Sequence, residues 1–298
     1  MDLPVAIMSF NRPDYLEMTL QTLMRQAWPE DATFSFFLFQ DGSVNPISGK
    51  TRASRRDIEA CKSVFLRYVP DGVVMESEHN LGVALNFDRA ERFFFVEGEY
   101  PAALFFEDDM LLAPDYVDVL VRLLRLALNT DHVGMVAAYG AGVSMPQSIQ
   151  AANRSRIVPM NEHNWGFAIT RAHWLARNTI VSEYLDIVRA VDYADRGTVH
   201  PEIFALIARY GHAGKRYLSS QDSVKNMASR TLGWHRVTSY TNHARYVGAK
   251  GLHMDEDRFR QRGYHQTIIF EGAVGDFEMP TRDELKAMEI EQSMGLMS

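Results

Sequence analysis

Three consecutive carboxylates, Glu107-Asp108-Asp109, are the residues of this sequence best suited to chemistry. They follow the apolar run Leu104-Phe105-Phe106, which is typical of the end of a buried strand. Carboxylates this close repel one another, and a divalent cation, which prefers hard oxygen ligands, would relieve that repulsion. A solvated acidic turn or a helix N-terminus is the alternative interpretation, because both also favour acidic residues. The position after a strand of an alternating β/α pattern leads us to predict a metal site.

Polar residues also stand where the first two apolar runs end. Ser9, Asn11 and Arg12 lie at the end of the first run, and Asp41-Gly42 closes the second. The carboxyl ends of parallel strands meet at one edge of a sheet, and ligands bind at that edge. Asp41-Gly42 is also typical of a simple turn, but the shared edge favours a role for both loops in one binding site.

The segment His79 to Asn86 (HNLGVALN) enters a helical pattern through a glycine. Gly82 would let a ligand approach the backbone, and the N–H groups at a helix N-terminus favour anions. An Asn-x-Gly helix entry is as often a structural cap. Asn80 and Asn86 are the candidate binding residues of this segment.

Two later residues have side chains that act as bases or metal ligands. Asp222 stands at the start of a helical pattern, where it serves either as a helix cap or as a general base. His253 lies in a loop with Gly248 and Gly251, and a neutral imidazole is a common metal ligand. Lone histidines more often have a structural role. Lys250 and Arg245 carry charges that suit a pyrophosphate.

Apolar runs and helical patterns alternate along the chain. We predict strands at 3–10, 34–40, 73–76, 102–106, 133–138 and 234–240, and helices after Pro13 and at 53–67, 83–96, 115–128, 172–191, 201–210 and 221–232. Strands separated by helices predict an α/β fold with a mainly parallel sheet and helices on both faces. Residues 140–156 are predicted to form a long loop, and residues 274–298 a helical or frayed tail.

The composition limits the class of protein. The 298 residues carry a net charge of −7 at a pI near 5.8, which gives no general attraction for nucleic acid or anionic lipid. A single cysteine, Cys61, rules out an intramolecular disulfide and a thiolate metal cluster. The apolar runs are too short to span a bilayer, and the N-terminus has no signal-peptide pattern. These features predict a cytoplasmic protein.

The order of these motifs resembles the N-acetylglucosaminyltransferase I family and related bacterial family-2-like glycosyltransferases, which have the GT-A fold. The most distinctive part is the strand that ends in Glu107-Asp108-Asp109 and continues into Ala113-Pro114-Asp115. In that family an acidic triplet binds Mn²⁺, which bridges the diphosphate of a nucleotide sugar. The resemblance implies that Asp109 is the main ligand of Mn²⁺ or Mg²⁺. It places Glu107 and Asp108 near the ribose or metal-bound water.

The resemblance also assigns roles to the remaining candidates. It implies that the loop Ser9 to Pro13 docks the nucleotide, that Asp41 contacts the uracil edge or ribose, and that His253 returns to the metal or diphosphate. Trp165-Gly166 would line the donor-sugar or acceptor pocket, with a core tryptophan and a strand bulge as alternatives.

The general base of the reaction is left open by the resemblance. Asp222 is one candidate, although Gln221 stands where many relatives have Glu. Asp192 and Asp195 compete with Asp222, because the family carries its base before a segment that resembles Pro201-Glu202-Ile203.

The resemblance predicts a single GT-A domain at 1–260, with a nucleotide-binding half at about 1–110, an acceptor half at about 111–260 and an extension at 261–298. The expected reaction moves a hexose or N-acetylhexosamine from a UDP-sugar to an acceptor hydroxyl, with inversion. The acceptor is a glycan, a lipid-linked sugar or another hydroxyl-bearing molecule. A nucleotidyltransferase, which usually opens with a glycine-rich loop, and a non-catalytic carbohydrate-binding protein are the alternatives.

Overall fold

The computed structural model of the protein describes residues 1–161, 163–213, 219–251 and 254–294. The strands are β1 (Asp2–Ser9), β2 (Thr33–Gln40), β3 (Val73–Glu76), β4 (Ala102–Glu107), β5 (Met110–Leu112), β6 (Val133–Ala137), β7 (Ile157–Pro159), β8 (Gly166–Thr170), β9 (His235–Ser239) and β10 (Ala244–Tyr246). The helices are α1 (Pro13–Leu23), α2 (Arg55–Tyr68), α3 (Gly82–Arg92), α4 (Tyr116–Leu128), α5 (Gln147–Ala152), α6 (Arg171–Arg189), α7 (His200–Arg209), α8 (Gln221–Thr231), α9 (Glu256–Gln261) and α10 (Arg282–Ser293).

Eight strands form one sheet in the order β3-β2-β1-β4-β8-β6-β9-β7. The pairs β3–β2, β2–β1, β1–β4 and β6–β9 are parallel, whereas β8 and β7 run antiparallel to their neighbours. The predicted α/β fold with a mainly parallel sheet is therefore confirmed. The strand order brings the ends of β1, β2 and β4 together at one edge, since these three strands are parallel neighbours.

The main departure from the sequence prediction lies in the second half. Residues 140–156 were expected to form a long loop, but they contain the short helix α5. Gln150 explains this difference, because its buried amide donates to the carbonyls of Met145 and Ile268 and accepts from the backbone of Asn242. Ile268 and Asn242 belong to distant segments, so no local pattern predicts these two contacts.

One large apolar core lies around the sheet, and a second cluster joins α6, α7 and α8. Leu285 of α10 is fully buried in the main core, so the C-terminal segment packs onto the domain as a helix. Thr281 and Glu284 form a capping box that starts this helix. Within the described residues, no helix has the length and apolar character needed to cross a membrane.

Candidate active site

A cavity of about 750 Å³ opens at the edge of the sheet where β1, β2 and β4 end. The predicted site residues that line it are Ser9, Asn11, Arg12, Asp41, Asn80, Asn86, Glu107, Asp108, Asp109 and Asp222. They come from five separate segments of the chain. The cavity therefore brings together most of the residues that the sequence analysis selected.

The acidic run forms the turn between β4 and β5, and its charges are buried. Asp108 and Asp109 are 4% and 2% exposed, and Arg12 makes ion pairs with both carboxylates. Arg12 Nη2 lies 2.8 Å from Asp109 Oδ2. Burial opposes the charge on Arg12, but the neighbouring carboxylates Asp108 and Asp109 outweigh burial and raise its pKa.

Two carboxylates of this run, Glu107 and Asp109, have pKa values above those of ordinary carboxylates. Burial, and then the charge of Asp109, raises the pKa of Glu107 well above its usual value. Burial also raises the pKa of Asp109 to about 6, although Arg12 opposes the shift. Excess negative charge out of water is costly, so the site favours the approach of a further cation.

The donor atoms of the acidic run fit a hard divalent cation. Asp109 Oδ1 is buried and has no hydrogen-bond partner in the described part of the chain. An all-carboxylate oxygen set suits Mg²⁺ or Mn²⁺. In the described ranges, however, no three His, Cys, Asp or Glu side chains are arranged so that together they could hold a metal ion. Such a cation would therefore complete its shell with ligand oxygens and water, as Mg²⁺ usually does in phosphate sites.

The Asp41 carboxylate accepts hydrogen bonds from backbone N–H groups of its own loop and of the loop before α3. It accepts from the N–H groups of Gly42, Leu81 and Gly82 at 2.7 to 3.0 Å and from Asn80 Nδ2 at 2.9 Å. Burial raises the pKa of Asp41 to about 6, while these backbone donors oppose the shift. Each carboxylate oxygen of Asp41 already accepts two hydrogen bonds, which argues against the predicted direct contact with uracil or ribose. These hydrogen bonds fix the conformation of the loop before α3.

The loop that Asp41 holds leads into α3. Gly82 has a φ of +74°, and a Cβ there would lie 2.5 Å from Tyr193 Cβ, so glycine is needed for two separate reasons. Asn86 donates to the carbonyl of Phe39 and accepts from Arg89. Both asparagines line the cavity, and Asn86 ties α3 to β2, whereas Asn80 ties the loop before α3 to Asp41 and Gly42.

Asp222 stands in the first turn of α8 and lines the cavity. The predicted alternative, that Asp222 caps this helix, is wrong, because Ser220 is the N-cap and its Oγ accepts from the N–H of Ser223. Asp222 Oδ1 accepts from Gln221 Nε2 at 2.8 Å and from Asn164 Nδ2 at 3.2 Å. Oδ2 accepts no hydrogen bond from any described residue.

The pKa of Asp222 is raised by its position in the protein interior. Burial raises its pKa, and Lys225 and Asn164 oppose that shift. A carboxylate that lines a cavity, with one oxygen held by hydrogen bonds, the other without a donor among the described residues, and a raised pKa has the properties of a general base.

The two competing carboxylates are engaged elsewhere. Asp192 also lines the cavity, but Oδ2 accepts from Ser48 Oγ and Arg52 Nη2, each at 2.6 Å, and Oδ1 accepts from the N–H of Ala194. Asp195 pairs with Lys50 and Arg52. These contacts leave Asp222 as the carboxylate best placed to accept a proton.

Trp165 and Gly166 do not line the main cavity. The Trp165 ring is stacked between His163 at 4.4 Å and Tyr246 at 4.5 Å, nearly parallel to both. Gly166 lies in β8, opposite Phe106. Tyr246 does line the cavity, so Trp165 acts on the site by supporting that ring. His253, predicted as a metal ligand, lies outside the described residues.

Several lining residues were missed by the sequence analysis, notably Arg52, Tyr193, Arg196 and Tyr246. Arg52 and Tyr246 lie in segments with no distinctive motif, and Tyr193 and Arg196 lie beside Asp192 and Asp195, where only the carboxylates were selected. Gly248, noted for loop freedom, proves to matter for space as well, because a Cβ there would lie 2.3 Å from Asp109 Oδ2. The pattern of the sequence carries no signal for that contact.

Comparisons with known proteins identify the family of this chain. The profile of the GNT-I family matches residues 1–216. An α-1,3-mannosyl-glycoprotein 2-β-N-acetylglucosaminyltransferase of Arabidopsis thaliana is 25% identical over 139 residues, which are 45% of this chain and 30% of that protein. The chain thus spans about a third of the length of this curated relative.

Two solved structures show a weaker similarity. S. aureus TarS 1–349 gives a TM-score of 0.46 at 14% identity over 84% of this chain and 61% of that one. Glucosyl-3-phosphoglycerate synthase from Mycobacterium tuberculosis, solved with Mn²⁺, UDP and glucosyl-3-phosphoglycerate, gives 0.37 at 13% identity over 59% of this chain and 58% of that one. Similarities this low bear on neither ligand nor reaction.

Proposed function

The chain belongs to the GNT-I family, and from this membership we propose that it is a glycosyltransferase that moves a sugar from a UDP-sugar to an acceptor hydroxyl. The donor is a UDP-hexose or UDP-N-acetylhexosamine, and the name of the Arabidopsis relative favours the latter. The acceptor is a glycan, a lipid-linked sugar or another hydroxyl-bearing molecule. Family membership favours this function over a nucleotidyltransferase.

The observation that carries the proposal is the composition of one cavity. The same cavity contains a buried acidic run with an unpartnered oxygen on Asp109 and a separate carboxylate, Asp222, with one open oxygen. Metal-dependent glycosyl transfer with inversion uses these two functions together, a cation site for the diphosphate and a base for the acceptor.

We assign the cation site to Asp109, with Glu107 and Asp108 beside it, for Mn²⁺ or Mg²⁺. When bound, the cation acts as a Lewis acid that stabilises the negative charge on the departing diphosphate. Arg12 balances part of the charge of the run and supplies a positive charge next to the diphosphate. Lys250 lines the cavity on the same side, since its carbonyl accepts from Arg12 Nη1.

Asp222 is assigned as the general base. Gln221 and Asn164 hold Oδ1, so that Oδ2 accepts the proton of the acceptor hydroxyl. The acceptor oxygen then forms a bond to the anomeric carbon as the bond from that carbon to the diphosphate oxygen breaks, and UDP leaves with the electron pair. A single displacement of this kind inverts the anomeric centre.

The remaining assignments follow from the placement of each residue. Ser9 and Asn11 line the cavity at the end of β1, the part that we assign to the nucleotide. Asp41, Asn80 and Asn86 shape that part through their internal hydrogen bonds. The metal or diphosphate role of His253 stays a prediction from the sequence.

The products of a donor reaction test the proposal. The protein is incubated with UDP-N-acetylglucosamine or UDP-glucose and Mn²⁺, and free UDP and pyrophosphate are measured separately. Transfer or slow donor hydrolysis releases UDP. Pyrophosphate release from a sugar phosphate and UTP would instead identify a nucleotidyltransferase, and UDP binding without any release would identify a non-catalytic binding protein.

A further inference from the structure

Arg196 lines the same cavity, and the proposed reaction assigns no role to its side chain. It lies in the 3-10 helix Tyr193–Val199, with its guanidinium 4.8 Å from the centre of the Tyr193 ring. Tyr193 Oη accepts from the N–H of Gln221, the residue next to Asp222. Arg196 therefore belongs to the part of the cavity that holds the proposed base.

The cationic side chains of the cavity differ in their partners. Arg12 pairs with Asp108 and Asp109, and Arg52 pairs with Asp192 and Asp195. Arg196, by contrast, makes no ion pair or hydrogen bond with any residue that the structure describes, apart from its ring contact.

The Nε atom of Arg196 is buried and has no hydrogen-bond partner in the described ranges. A buried donor without a partner is unfavourable, and most such donors in proteins are satisfied by protein, water or ligand. A guanidinium also matches phosphate and carboxylate oxygens in a two-point geometry. The cation–π contact with Tyr193 helps to hold the guanidinium at the cavity wall, where such an oxyanion can reach it.

We propose that Arg196 binds an oxyanion of the acceptor, a phosphate or a carboxylate, and so selects an anionic acceptor. The inference rests on the proposed glycosyltransferase function. An anionic acceptor that approaches Asp222 meets the carboxylates Glu107, Asp192 and Asp222 in the same cavity. A cation that no protein carboxylate neutralises offsets that repulsion at the place where the acceptor binds.

Inorganic phosphate and acetate serve as probes, titrated by calorimetry into protein that is already saturated with UDP and Mg²⁺. Saturation with UDP removes the diphosphate site as a source of phosphate binding. Chloride at the same ionic strength corrects for general salt effects. The wild type is compared with the variants Arg196→Gln, Arg196→Lys and Arg209→Gln. Arg196→Lys keeps the positive charge but loses the two-point hydrogen-bonding geometry of the guanidinium. Arg209 is an exposed arginine outside the cavity that serves as the matched control.

We expect millimolar binding of at least one probe to the wild type and to Arg209→Gln. Arg196→Gln should weaken that binding by about tenfold or more and Arg196→Lys by less, as expected for loss of a charge-assisted contact. The probe that binds more tightly distinguishes a phosphate from a carboxylate. Equal binding by Arg196→Gln and wild type, or binding of neither probe to the wild type, overturns the inference.

The affinity for UDP, measured on the same samples, separates this inference from the proposed function. Normal UDP affinity in all variants, together with UDP release from a donor sugar, leaves the glycosyltransferase proposal intact whatever the anion results. Absence of UDP binding in the wild type overturns both proposals. Thermal unfolding of each variant shows whether the variant is folded, so that a loss of anion binding is not mistaken for a loss of folding.

Discussion

Arg12 Nη2 lies 2.8 Å from Asp109 Oδ2, so that the loop after β1 supplies the counter-charge for the turn after β4. The two strands are parallel neighbours, which brings residues 97 positions apart to the same edge of the sheet. Arg12 occupies one oxygen of Asp109, while the other, Oδ1, has no partner among the described residues. The acidic run is thus only partly neutralised by the protein, and a buried oxygen of Asp109 is left without a partner among the described residues.

Replacement of Asp109 by Asn should remove the gain in UDP affinity that Mn²⁺ provides. The amide keeps the size of the side chain but loses the charge that attracts a hard cation. We expect UDP to bind the variant about tenfold or more weakly in Mn²⁺, and equally with Mn²⁺ or chelator, because a charge-assisted contact of this kind is lost. Calorimetric UDP titrations in both conditions measure this.

Asp195→Asn is the control for the Asp109 variant, because Asp195 is a half-exposed carboxylate of the 3-10 helix Tyr193–Val199 that does not line the cavity. It should behave as wild type in both titrations. A wild-type protein that binds UDP equally well in Mn²⁺ and in chelator would show that the acidic run holds no metal.

Gly248→Ala should damage the acidic site without touching a carboxylate. The new Cβ would lie 2.3 Å from Asp109 Oδ2 and 2.4 Å from Tyr246 Oη, so one of these side chains must move. We expect weaker UDP binding in Mn²⁺ and little change in binding without metal. Gly142→Ala is the matched control, since a Cβ there meets no atom within 4 Å. Identical UDP affinity in the two alanine variants would contradict the placement of Gly248 against Asp109.

Asp222→Asn should retain UDP affinity and lose transfer by about 10²-fold or more, as for loss of a general base. The wild-type rate should rise with pH as Asp222 ionises, because only the carboxylate accepts a proton. Burial raises the pKa of Asp222, so the increase in rate should occur at a higher pH than it would for an exposed Asp. The variant should lack this acidic limb in its pH–rate profile. Transfer near the wild-type rate would instead point to Asp192 or Asp195.

Glu91→Gln should destabilise the protein by about 3–5 kcal/mol, because it leaves two buried cations without their shared anion. Glu91 Oε1 lies 2.6 Å from Arg177 Nη2 and 2.8 Å from Lys225 Nζ, and all three side chains are at most 3% exposed. Glu183→Gln breaks a more exposed pair with Arg209 and should cost about 1 kcal/mol or less. Urea unfolding at neutral pH compares the two, and equal losses would show that the buried triad adds no more than a surface pair.

The same triad predicts a loss of stability in acid. Burial opposes the charge on Glu91, but Arg177 and Lys225 outweigh burial and lower its pKa below 4.5. The ionised form is therefore favoured in the folded state, and its contribution to stability is fully present above the unfolded pKa. That contribution should disappear as pH falls through the lowered pKa. Glu91→Gln should show a flatter dependence of unfolding free energy on pH in this range.

Local patterns in the sequence were sufficient for the α/β alternation and for the main cluster of site residues. Strands β1, β2, β3, β4, β6 and β9 lie where apolar runs predict them, within about two residues at each end, as is usual for such boundaries. The ends of parallel strands share one edge. The residues after β1, β2 and β4 were therefore correctly expected around one cavity before any contact was known.

The tertiary structure decided which of these polar groups are free to act. Asp41 and Asp192 are both acidic residues at the cavity, yet backbone N–H groups hold the first, and Ser48 and Arg52, more than 100 positions away, hold the second. Asp222 keeps an open oxygen because Ser220 caps its helix and two amides hold Oδ1 alone. A residue's type and local pattern determine what its side chain can do, but many of its hydrogen-bond partners come from distant segments, and only the packed chain brings those within hydrogen-bond distance.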